Sequence, residues 1–140
     1  MTAKEYLQQV YTISCRIKRL EKRREDIRAD LYSLRSPSDL SGISVQTSPS
    51  GDKMAELVAK VDEIECDIVD ELKELTDRKE AIIGNIELVP NERYKQILFD
   101  RYILCEKWEK IALDRDKTVR WIYRMHGKAL NAFEKVLSSH

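Results

Sequence analysis

Apolar residues recur along the first quarter of the chain at spacings of three and four: Ala3, Tyr6, Val10, Ile13, Ile17, Leu20, Ile27, Leu31 and Leu34. This rhythm predicts one long helix over residues 3–35 whose apolar seam packs on another helix, as in a coiled coil. Arg24 stands where an apolar residue is due. A second seam, Met54, Leu57, Val61, Ile64, Ile68, Leu72, Leu75, Ile82 and Ile86, predicts a second long helix over 52–86. Asp52 is its expected N-cap, the two fours at 64–68–72 read as a stutter, and Lys79 lies on the seam. Gly84, Asn85 and Pro90 weaken and end it. Between the two, residues 36–51 carry six serines, two prolines and two glycines, which predicts a loop.

The last third changes rhythm. A helix opened by Pro90 or Asn91 and running to about 103 places Tyr94, Ile97, Leu98 and Tyr102 on one face. A short helix over about 106–113 turns Trp108, Ile111 and Ala112 inward, and residues 114–116 form a turn. Thr118 can cap a final helix to about 137 with Ile122, Met125, Ala129, Leu130, Phe133 and Leu137 inside. Two helices around a short turn, the second longer and basic, make a helix-turn-helix. The expected fold is all-α: a long antiparallel helical hairpin of coiled-coil type over 1–89, then a three-helix helix-turn-helix module over 90–140.

Charge fits that pairing. Residues 2–36 hold nine Lys and Arg against five acids, and residues 53–90 hold five against eleven. Opposite signs beside the seam help select partners. A pair of helices that thin leaves apolar surface uncovered, so self-association through the coiled coil is expected as well. Over all 140 residues, 25 basic side chains balance 25 acidic ones, and the 36% charged content with few Gly and Pro suits long helices. Cys15, Cys66 and Cys105 are odd in number and far apart, so buried free thiols in a reducing cytosol are expected. No run reaches the ~18 apolar residues of a membrane span, and MTAKEYLQQV lacks the apolar core of a signal peptide. A cytoplasmic protein without a membrane partner is expected. Nothing resembles a phosphate-cradling loop, a metal-ligand cluster or a nucleophile–base set, so neither an enzyme nor a cofactor is expected.

The candidate chemistry gathers in DKTVRWIYRMHGKAL, residues 116–130. From 117 to 128 there are four cations and no acid. Val119, Arg120, Tyr123, Arg124 and Lys128 fall on the face away from Ile122 and Met125, with Arg120 and Arg124 one turn apart. The arginine fork matches guanine O6 and N7, and equally a phosphate. Lys107, Lys110, Arg115 and Lys117 surround the turn where phosphates would pass, and Thr118 can donate to one. Against this, a charged helix face is more often simply solvated. Trp108, Trp121 and His126 are more often packing groups than contacts to a ligand.

The stretch 97–130, with Ile97-Leu98-x-x-Arg101-Tyr102, Ile111-Ala112, Thr118 and Lys128-Ala129-Leu130, resembles region 4 of sigma-70-type factors. Arg101-Tyr102, Trp108-x-x-Ile111-Ala112 and Tyr123-Arg124-x-His126-x-x-Ala129-Leu130 resemble the small phage and prophage transcriptional regulators related to ArpU and RinA. The resemblance implies a reader of double-stranded DNA, with the base-reading role on Thr118, Val119, Arg120 and Arg124. It departs from housekeeping sigma factors at Val119 and Trp121, where those carry charged residues. A sequence-specific phage-type regulator, self-associating or engaging RNA polymerase through the long helices, is the leading expectation. The alternatives are a DNA-packaging protein like a terminase small subunit, an architectural DNA binder, or a scaffold whose coiled coil grips another protein.

Overall fold

The computed structural model describes residues 1–35 and 48–139, and every element among them is helical. The elements are α1 (Ala3–Leu7), α2 (Gln9–Arg35), α3 (Ser48–Glu87), α4 (Glu92–Leu98), a π-helical turn (Phe99–Ile103), α5 (Trp108–Asp114) and α6 (Val119–Ser139). No described helix is long and apolar enough to cross a membrane. Of the expected loop 36–51, residues 36–47 lie outside the described residues. Residues 48–51 already belong to α3, so Asp52 sits inside the helix rather than capping it. Pro49 fits a first turn because the N–H it lacks has no intrahelical acceptor there.

In place of the single helix expected over 3–35, there are two. A capping box starts α1: the Thr2 hydroxyl accepts from the Glu5 N–H at 3.2 Å, and Glu5 Oε2 accepts from the Thr2 N–H at 3.0 Å. The winding is interrupted at Gln8, whose ψ is −7°.

The chain divides into two compact units. One joins Met1–Ser14 to Glu74–His140, and the other is Cys15–Lys73. This division falls elsewhere than the expected 89/90 boundary. The reason is a core that gathers Ala3, Leu7 and Val10 from the N-terminus, Ile82 and Ile86 from the end of α3, Val89 just after it, and Leu98, Tyr102, Ile103, Ala129, Phe133 and Val136 from the last third. Within this unit Tyr6 pairs with Asn85 at 2.8 Å, and Gln9 with Arg78 at 2.9 Å.

In the other unit Ile17, Leu57, Val61, Ile64 and Ile68 are buried. Arg16 pairs with Glu71 at 3.6 Å and Arg28 pairs with Glu65. Leu72, expected on the seam, is 45% exposed, whereas Glu71 is half-buried against Arg16. The inner line therefore passes through an ion pair, and no stutter is needed. None of the three cysteines is in a disulfide, and Cys66 and Cys105 are exposed while only Cys15 is half-buried. This corrects the expectation of buried thiols.

Asn91 caps α4, its side-chain oxygen accepting from the N–H groups of Arg93 at 2.9 Å and Tyr94 at 3.3 Å. The helix then widens, with Leu104 N–H bonding to Phe99 C=O at 3.1 Å and Glu106 N–H to Asp100 C=O at 3.0 Å. The wider turn lets adjacent Tyr102 and Ile103 both enter the core.

Candidate nucleic-acid interface

The last two helices meet around Ile111, Ala112 and Ile122, all buried, with Trp108, Val119 and Trp121 packed against them. The turn between them closes on α5. Lys117 N–H reaches Ala112 C=O at 3.0 Å and Asp116 N–H reaches Leu113 C=O at 3.2 Å, with Asp116 left-handed at φ 53°. This is the Schellman closure, which satisfies the last carbonyls of α5. Glycine adopts that conformation without the Cβ clash. Asp116→Gly is therefore expected to stabilise the fold by about 0.5–1 kcal/mol. A raised urea midpoint checks this, and an unchanged or lower one would contradict it.

Thr118 starts α6, its Oγ1 accepting from the Trp121 N–H at 3.0 Å. The Thr118 hydroxyl proton stays available, as do the first backbone N–H groups of the helix, which carry partial positive charge. From there α6 separates into two faces. Ile122, Ala129, Phe133 and Val136 are buried, while Arg120, Tyr123, Arg124, Gly127, Lys128 and Asn131 are exposed along the other side. Val136 takes the buried place expected for Leu137, which is half-buried beside it.

The expected cations are not equivalent. Arg120, Arg124, Lys128 and Lys107 are exposed and form no ion pair among the described residues. Lys117 is exposed, with its ammonium 5.1 Å from the Trp121 ring centre. Lys110 is held between Glu106 at 3.2 Å and Asp114 at 3.1 Å, which raises its pKa. Arg115 is half-buried in a 2.8 Å pair with Asp100. Burial pushes the Asp100 carboxyl up, and the Arg115 charge opposes that. Val119 faces Ile111 and Ile122 rather than the outer face. The corrections at Arg115 and Val119 share a cause, since spacing along one helix does not reveal partners on the next, whereas the carboxylates that hold Lys110 lie four residues to either side of it. Asn131 joins the exposed stripe although the sequence reading passes over it; its position seven residues beyond Arg124 is the signal that marks it. Lys128 borders both this stripe and a groove lined by Leu88, Tyr94, Ala132 and Val136.

Behind the stripe, an aromatic cluster fixes how α6 meets the preceding elements. The Arg101 guanidinium lies 4.4 Å from the Trp108 ring centre and donates to Glu106 C=O at 2.9 Å. Trp108 meets His126 edge-on at 4.6 Å and Tyr123 at 5.4 Å. The Tyr102 hydroxyl and His126 Nε2 are 2.6 Å apart. Burial, then the charges of Lys4 and Arg101, push the His126 pKa down to about 4. Burial pushes that of Tyr102 up to about 12, with Arg101 opposing. Neutral His126 and the Tyr102 hydroxyl thus share one hydrogen bond, whose donor is set by the imidazole tautomer. His126 is a packing group, and Trp108 and Trp121 are half-buried in the module's core.

The unfolded imidazole, with a pKa near 6.5, binds its proton before the folded one does. Stability from the neutral ring is fully present above about pH 6.5 and is lost as pH falls toward 4. Discounted for the solvent that still reaches the ring, the loss is on the order of 1–2 kcal/mol. An NMR titration of His126 is expected to find its midpoint near pH 4. A midpoint at 6.5 would contradict the buried, neutral role.

No group of three or more His, Cys, Asp or Glu among the described residues can hold a metal ion. Comparison with family models, curated proteins and solved structures found no match to this chain.

Proposed function

We propose that the chain is a sequence-specific DNA-binding transcriptional regulator of phage or prophage type, reading a duplex through α6. One observation carries the reading. The capped second helix of a helix-turn-helix presents Arg120, Arg124 and Lys128 on an exposed face, none of them neutralised by an ion pair among the described residues. In this docking mode the start of the second helix enters the major groove and the first helix crosses the backbone. Thr118, Arg120 and Arg124 are assigned to the groove, and Lys107, Lys117, Tyr123 and Lys128 to phosphates. Val119 supports the helix from inside, and Arg115 positions the turn through Asp100. Lys110 contributes little charge, because two carboxylates already hold it.

Self-association along the long helices belongs to the same reading. Its support is the exposed apolar surface of Val58 (40%) and Val69 (49%) on α3. Two reader modules on one assembly would favour a repeated or palindromic site.

The test is titration of a random-sequence duplex pool with the full chain over a range of salt concentrations. Binding that weakens linearly in log salt is expected, because neutralising phosphates releases counterions. No binding at low salt would refute the proposal.

A further inference from the structure

We infer that the phosphodiester backbone of a duplex docks on α6 at Gly127. The inference rests on the DNA-binding reading above and adds a contact to it. Gly127 lies well inside α6, where glycine is less favourable than alanine. Two common reasons for a helical glycine do not apply. No described glycine has a positive φ, so the backbone does not require one. A Cβ built on Gly127 would meet nothing within 4 Å, so no neighbouring element requires the space. Nothing inside the fold therefore accounts for the missing side chain.

The surroundings supply the external reason. Gly127 is exposed, with Tyr123 one turn before it and Asn131 one turn after, both donors. Arg124 and Lys128 flank it, and neither forms an ion pair among the described residues. A helix about 10–12 Å across fits the roughly 12 Å major groove with little clearance. A missing Cβ lets the helix approach a phosphate wall at that point, and Tyr123, Lys128 and Asn131 can then reach its oxygens while Arg124 stays turned to the groove. Such contacts set register and orientation without reading sequence.

Gly84 provides an internal control. It also lies inside a helix with nothing within 4 Å of its added Cβ, but its neighbours one turn away are Glu80, Ala81, Glu87 and Leu88, none of them cationic.

The experiment compares full-length wild type, Gly127→Ala and Gly84→Ala by thermal melting and by binding to a labelled random-sequence duplex pool at low salt. Both variants are expected to melt a few degrees higher, because alanine is the better helix former. Only Gly127→Ala is expected to bind more weakly, by about tenfold, and by the same factor on different sequences. Gly127→Ala binding as tightly as a binding-competent wild type would overturn the inference and leave the DNA-binding reading standing. A wild type that binds no duplex would overturn both.

Discussion

Phe133→Ala is expected to lower the melting temperature by on the order of 15–30 °C, a larger effect than any surface substitution should produce. Phe133 is fully buried and is the largest such side chain in the described core. It packs among residues from α1, α2, α3, the π-helical turn and α6, with the Tyr6 ring centre 5.9 Å away. Truncation removes the ring and leaves a cavity whose walls belong to helices far apart in sequence. Such losses cost about 3–5 kcal/mol, a large share of the roughly 5–15 kcal/mol that holds a domain folded. Leu113→Ala serves as the control, since Leu113 is 76% exposed. A Phe133→Ala protein melting within two or three degrees of wild type would mean that the N-terminal residues and the C-terminal helices do not share one core.

The second large effect concerns binding. Replacing Arg120 and Arg124 together by alanine is expected to remove site preference and to weaken duplex binding by on the order of a hundredfold or more. Each bidentate contact contributes about 1–3 kcal/mol of discrimination. Helix content is expected to hold, because both side chains are exposed, neither forms an ion pair among the described residues, and alanine favours helix. Circular dichroism and duplex titration on the same sample separate the two outcomes. An unchanged preference would remove α6 from the reading role.

Much of this arrangement is legible in the sequence because it is local. The caps at Asn91 and Thr118 follow from single residues placed before an apolar rhythm. The inner line Ile122, Ala129 and Phe133 follows from the helical period alone. Periodicity falters where two apolar residues are adjacent. It selects Tyr6 over Leu7 and Leu137 over Val136, yet Leu7 and Val136 are the more buried of each pair. It is also blind to partners on other elements. The Arg115–Asp100 pair, the inward Val119 and the Glu71–Arg16 pair each depend on how one helix meets another. The same limit hides the larger fact, that residues near the N-terminus complete the core on which α6 rests.

α6 rests on that core through its buried side and carries its cations on the other. The recognition proposed for it is therefore separable from its stability, which is what permits the paired tests above. The most direct measurement of the central claim is selection of bound duplexes from a random pool by the full chain near physiological salt, followed by sequencing of what is retained. At that salt phosphate contacts alone are weakened, so retention with enrichment reports base reading. The account predicts an enriched motif, repeated with a fixed spacing, that disappears in the Arg120→Ala, Arg124→Ala double variant. Retained duplexes with no enriched sequence, or no retained duplex at all, would contradict it.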